Sequence, residues 1–347
     1  MGEQNVVSPQ CWSKLLCLAQ SANNGSGEKS SQLMSKQDQK FVENAMAEAM
    51  HLTDPVRHMT KHIEQLKLIG KTSKDDVDNV KEIVDSLEEL VCDIDYAADF
   101  CKLNGLVEVI RLMKSDCDSV RCEMTRLIPL LAQNNPYVQD VILQTDLLPY
   151  LLTILEEINA SEDLLAKSLS SLSSIVRTHE KAFRQVLVAC QFYQLKGLEK
   201  FENVFRKAVD MHYFKVADKA VLVTTSIAIS LGPDVKQYNV FPVLFRMALQ
   251  LSPNSAGCSY FLDYLMNNIT DKEDNSGFTS DEFKMNLIEL DNQSKRQLYD
   301  FLERQLKHEG RLPHEDCLRS FLKEMDVILN EDTKNVKFEV SKTSSNS

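Results

Sequence analysis

The sequence predicts an all-α protein, a right-handed α-solenoid of about four stacked helical repeats with flanking helices. Three observations carry that expectation. Glycine is scarce, 10 in 347 residues, which disfavours turn-dense β architectures and glycine-lined phosphate sites. Apolar residues recur at spacings of three and four along long proline-free stretches. Similar segments also return at nearly constant offsets along the chain.

Taken in order, residues 12–19 (WSKLLCLA) could form two helical turns, and residues 21–35 are a Ser/Asn/Gly run too polar to bury a core. A helical pattern resumes over residues 37–50. Asp54-Pro55 then caps the next start, with Met59, Ile63, Leu66 and Ile69 on one face. Repetition begins at Asp75. Asn104-Gly105-Leu106 returns as Thr145-Asp146-Leu147 after 41 residues, and Asp118-Ser119-Val120 returns as Glu162-Asp163-Leu164 after 44. A third unit opens at Gly197, after an insertion, and continues in a helix over residues 215–229; residues 239–250 and 256–269 make a degraded fourth. Periods of about 40–47 residues with three helices read as armadillo-like repeats, each covering its apolar face only by stacking on its neighbours. Val120, Met124, Leu127, Leu131, Leu164, Leu172 and Ile175 are therefore core. The expected division is a flexible tail over residues 1–37, a helical core over 38–270 and a helical cap over 271–330. That cap opens with a linker (271–282) and holds helices over 283–308 and 313–330. A disordered tail over 331–347 completes the chain.

The chain carries a net charge of −12, and residues 75–99 hold ten acidic residues against the single base Lys81. Such a surface repels phosphate backbones, so nucleic acid and anionic membrane are poor partners and a basic protein surface is a better one. Nine scattered cysteines form no C-x-x-C pair and suit a reducing compartment. With no secretory signal and no long apolar run, the expected location is cytoplasmic and membrane-free.

Chemistry-bearing motifs are wanting. His58-x-x-x-His62 puts two imidazoles on one helix face without the glutamate of a zinc-protease helix, and His314 with Cys317 has no second pair. No nucleophile elbow, Walker loop or dinucleotide fingerprint occurs. The expectation is a non-enzyme with no catalytic residues, cofactor or metal.

The stretch LEELVCDIDYAADFCKLNG, residues 87–105, and above all Ala97-Ala98-Asp99-Phe100-Cys101, closely resembles the first repeat of the cytosolic heat-shock-protein-70-binding proteins, the armadillo-type nucleotide exchange factors. Arg121, Leu127-Ile128, Gln133-Asn134, Ile175-Val176-Arg177 and Lys219 continue the resemblance, and WSKLLCLAQSA and FVENAMAEAM are similar to its N-terminal pieces. Leu165 departs from it, standing where the family often has arginine. The resemblance implies a monomeric co-chaperone without a cofactor. It would grip the ATPase domain of the 70-kDa chaperone with a concave face, promote ADP release and so aid client release. The alternative is an armadillo scaffold that holds another protein or peptide in its groove.

Helical register supplies the candidate groove. With Val120, Met124, Leu127 and Leu131 inward, Glu123, Arg126 and Leu130 point to the concave side. Lys167, Ser170, Ser174 and Arg177 follow in the second unit, then Lys219, Leu222 and Ser226 in the third. Trp12, Leu15, Leu16 and Leu18 form an apolar segment that the resemblance casts as a release tail competing with client polypeptide.

Overall fold

The structure is a computed structural model describing residues 54–70, 77–177, 198–236, 240–269, 280–288, 290–307 and 315–343, with positions 37, 40–42, 44, 179, 181, 182, 184, 186 and 238. Among the described residues every regular element is helical and no strand occurs. None of the helices is long and apolar enough to cross a membrane. The chain divides into two compact units at Leu68/Ile69, whereas the sequence pattern places the start of the core near residue 38.

In the first unit, α1 (Pro55–Leu68) starts where expected, with Asp54 Oδ1 accepting from the Val56 amide at 3.0 Å. It buries Met59, Ile63 and Leu66. Of the helical pattern over residues 37–50, positions 37, 40–42 and 44 are described and helical, while Trp12, Leu15, Leu16 and Leu18 lie outside the described residues.

The second unit opens with α2 (Val77–Val91), then α3 (Ile94–Lys102), α4 (Gly105–Met113) and α5 (Asp118–Ala132). Asp93 caps α3 by accepting from the amides of Asp95 and Tyr96 at 2.8 and 3.3 Å. Asn104 turns the chain between α3 and α4 with φ 62°. A second triplet follows: α6 (Pro136–Leu143), α7 (Leu147–Ile154) and α8 (Glu162–Val176). Asn135 and Ser161 cap its first and last helices, and Pro136 occupies the first turn, where its missing N–H costs nothing. Then come α9 (Glu199–Asp210) and α10 (Phe214–Leu231), with α11 (Val240–Ala248) and α12 (Ala256–Ile269) after a 3-10 turn.

The third helices form the spine. α5 packs between α2 and α8, α8 against α10, and α10 against α12, while α3–α4 and α6–α7 flank them. The apolar ladder expected to be core is core: Val120, Met124, Leu127, Leu131, Leu164, Leu172 and Ile175 are all buried. Side-chain amides tie helices together both between and within triplets. Asn135 Nδ2 donates to the Ile94 carbonyl at 2.9 Å, and the buried Gln139 donates to the Ser174 carbonyl at the same distance.

Arg121 is a polar bolt within the first triplet and the one after it. Its guanidinium meets the Met113 carbonyl at 3.3 Å, Asp118 at 3.0 Å and Glu157 at 2.6 Å. Burial works against this charge, but the Glu157 bond and the Tyr150 and Glu157 charges outweigh it and raise the arginine pKa. The matching residue 44 positions on, Leu165, is buried and apolar. Packing there replaces the bolt.

The C-terminal region differs from the sequence expectation in two places. Residues 283–308 read as one helix, yet the structure has α13 (Ser280–Ile288) and α14 (Asn292–Lys307). Asp291 is the reason: its Oδ1 accepts from the amides of Gln293 and Ser294 at 3.0 and 2.9 Å and restarts the helix. The final helix, α15 (Glu315–Thr343), runs beyond Asn330, because no glycine or proline stops it. Aromatic rings join these helices to the fourth unit. Phe283 meets Phe241 edge-on at 5.5 Å and Phe301 meets Phe261 at 5.9 Å.

Candidate functional site

The repeat register places equivalent residues of α5, α8 and α10 side by side along one face. Glu123, Lys167 and Lys219 occupy one position of the repeat, and Arg126, Ser170 and Leu222 the next turn. Their surroundings differ in charge.

Near α2 the face is neutralised internally. Arg126 Nη2 reaches Asp85 and Nη1 reaches Glu88, each at 2.5 Å, while Nε lies 3.0 Å from Glu123. Burial opposes the guanidinium charge, but the Asp85 hydrogen bond and the three carboxylates hold its pKa above the ordinary arginine value. Glu123 also meets Lys167 at 3.5 Å. The acidic run around α2, which in sequence suits a basic partner surface, is thus partly spent on an arginine of α5.

Further along, the balance reverses. Lys219 is half-buried and donates to the Ser170 hydroxyl at 2.6 Å, and that hydroxyl donates onward to the Ala166 carbonyl. Burial is the main cause that lowers the Lys219 pKa, with Lys215 adding and Asp218 opposing. Beside it a depression of about 190 Å³ opens between α5, α8 and α10, with walls from Gln133, Ser170, Ser173, Arg177, Lys219 and Leu222. Arg177 lies over the Tyr260 ring of α12 at 5.8 Å.

Of the ten register-derived groove residues, Glu123, Arg126, Leu130, Lys167, Ser170, Arg177, Lys219 and Leu222 keep partly exposed side chains. Two do not. Ser174 and Ser226 are 8 % and 2 % exposed, their hydroxyls turned onto the carbonyls of Ser171 and Leu222 at 2.8 and 2.9 Å, so both are largely buried and their hydroxyls are engaged within their own helices. Five of the ten, Ser170, Ser174, Arg177, Lys219 and Leu222, line the depression. Asp85, Glu88, Gln133 and Ser173 belong to the face and were not among the register picks. Gln133 was within reach of the sequence, since adding 44 to its number gives Arg177.

Among the described residues the His58/His62 pattern gathers no metal site. His62 Nδ1 pairs with Gln65 at 2.9 Å, burial lowers its pKa, and His314 lies outside the described residues. Among the described residues no three metal-ligating side chains cluster. Cys101, Cys117, Cys122 and Cys258 are buried, and burial pushes the Cys101 and Cys258 thiols up to about 11, away from thiolate chemistry.

No family model matches the chain. Hsp70-binding protein 1 of Macaca fascicularis is 25 % identical over 197 residues, covering 53 % of this chain and 52 % of the relative. The Homo sapiens protein of the same name is 26 % identical over 168 residues, covering 44 % and 45 %. The chain thus spans about half the length of the curated relatives it matches. A solved engineered protein superposes with a TM-score of 0.47 at 16 % identity, over 79 % of this chain and 98 % of that one, a likeness too weak to assign a fold. On the two curated matches, the chain is a distant relative of the Hsp70-binding protein 1 family.

Proposed function

We propose that this protein is an Hsp70-binding co-chaperone, a cytoplasmic monomer that docks the chaperone's ATPase domain on the α5–α8–α10 face and promotes ADP release. The observation that carries the reading is the pair of relatives named for Hsp70 binding. The order of packing, third helix on third helix with paired helices alongside, supports an armadillo-type right-handed solenoid as the scaffold. The work is done by binding energy rather than bond-making. A partner that prefers the open ATPase domain to its ADP-closed form shifts the equilibrium by that difference in affinity and by nothing else. No cofactor enters such a mechanism. In this reading the segment bearing Trp12, Leu15, Leu16 and Leu18 acts separately, on client release.

The test is release of labelled ADP from a purified 70-kDa chaperone. Acceleration that saturates with added protein is expected, together with a pull-down weakened by ATP. Unchanged release alongside nucleotide-independent binding would instead identify a scaffold.

A further inference from the structure

The charges along the docking face do not cancel evenly. Arg126 is held by Asp85, Glu88 and Glu123, and Lys167 shares Glu123, so these cations are committed within the chain. Lys219 occupies the same repeat position as Glu123 and Lys167, but its hydrogen-bond partner is a neutral hydroxyl. Among the described residues no carboxylate lies within ion-pair distance of its ammonium, although the chain carries 51 acidic residues against 39 basic ones. The neighbouring Lys215, by contrast, is exposed and paired with Asp163 at 3.5 Å. An ammonium half-removed from water without a carboxylate in contact is costly to the isolated protein. Here it stands at the edge of a concave depression whose other polar walls include Ser170, Ser173, Ser174, Gln133 and Arg177.

We infer that this depression is an acceptor for a carboxylate side chain presented by the docking partner, with Lys219 supplying the charge and Ser173 and Gln133 further hydrogen bonds. The inference rests on the docking face proposed above and adds the chemistry of its main polar contact. The argument is charge complementarity. Arg177, lying over the Tyr260 ring at 5.8 Å, lines the same depression, and Leu222 and Leu169 give it apolar walls beside the ammonium. The desolvation that lowers the Lys219 pKa is the same desolvation that strengthens an arriving ion pair.

Three full-length variants test it: Lys219→Met, Lys219→Glu and, as a control, Lys215→Glu. Affinity is measured against the ATPase domain of a 70-kDa chaperone at low and high salt, and thermal melts are recorded for each. The expected result is at least a tenfold loss for Lys219→Glu that narrows in high salt, with Lys215→Glu within about twofold of the parent. Lys219→Met keeps or raises the melting temperature, because it removes an uncompensated charge. A substitution of one partner carboxylate to lysine that restores binding to Lys219→Glu would name the acid. Parent-like affinity of Lys219→Glu overturns the acceptor site alone. A fall of several degrees in the Lys219→Met melt makes the lysine structural and overturns it as well. Absence of binding by the parent removes the docking reading itself.

Discussion

Gly105 shows how a single residue is fixed by its neighbour. It opens α4, where alanine would ordinarily be favoured by about 1 kcal/mol of helix propensity. A Cβ built there would sit 2.5 Å from ring carbons of Phe100, which is fully buried. Overpacking of that kind costs about 1–3 kcal/mol, so the clash outweighs the propensity and Gly105→Ala is expected to destabilise the fold. Chemical denaturation checks this, and adding Phe100→Leu should recover part of the loss, which a backbone effect would not allow. Residues also set how far sequence reading goes. Leu127 or Ile175 is legible as core because its apolar side chain has no other stable place. Ser174 and Ser226 are not legible, because a serine hydroxyl bonds a carbonyl of its own helix and is buried at little cost. Arg126 looks like a groove cation in sequence. Its carboxylates stand 38 and 41 positions away, across a packing contact that no local pattern encodes.

At the scale of elements, the helices themselves were largely legible, since periodicity and caps are local, whereas the ties between them were not. The break between α13 and α14 turned on the one side chain of Asp291, whose cap hides inside an otherwise helical pattern. Gln139 is one of the inter-element ties. It lies on α6, is 1 % exposed and donates to the Ser174 carbonyl at the end of α8. Gln139→Leu preserves the size of the side chain and removes the donor, leaving a buried carbonyl without this bond, and should cost about 1–3 kcal/mol in urea denaturation. The pair Glu202–Arg246 joins α9 to α11 through two hydrogen bonds of 2.9 and 2.8 Å. The Arg246 bond lowers the Glu202 pKa below the ordinary glutamate value. A lowered carboxylate pKa means stability present above the unfolded value and lost as pH falls through the folded one. Since Arg246 is half-exposed, the expected contribution is modest, about 1 kcal/mol at neutral pH. Melts of the parent and Glu202→Gln should therefore differ at pH 7 and converge as the pH falls below the ordinary glutamate range and the carboxylate protonates in the folded state. A gap that never closes on acidification, for as long as both proteins stay folded, would assign the loss to packing instead.

At the scale of the whole molecule, nucleotide exchange by binding alone obeys a constraint that mutagenesis cannot disguise. If the protein lowers the affinity of the ATPase domain for ADP by some factor, ADP must lower the affinity of the domain for the protein by the same factor. Both quantities can be measured separately. Displacement of labelled ADP at saturating protein gives one, and titration of the protein into ADP-loaded and nucleotide-free ATPase domain gives the other. Couplings in such systems run at about 1–3 kcal/mol, or 5- to 150-fold, which either assay resolves. The charge-reversed Lys219→Glu variant supplies an internal check. Where its carboxylate contact is equally strong in the open and closed forms of the partner, it weakens binding while leaving the coupling factor unchanged, because only differential contacts contribute. Where that contact forms only in the open form, affinity for the nucleotide-free domain and the coupling factor fall together. Equal factors from the two titrations are the expected outcome for the parent. Tight binding that ADP does not alter would leave a genuine Hsp70 ligand that exchanges nothing, and the docking face would then have to be read as a tether.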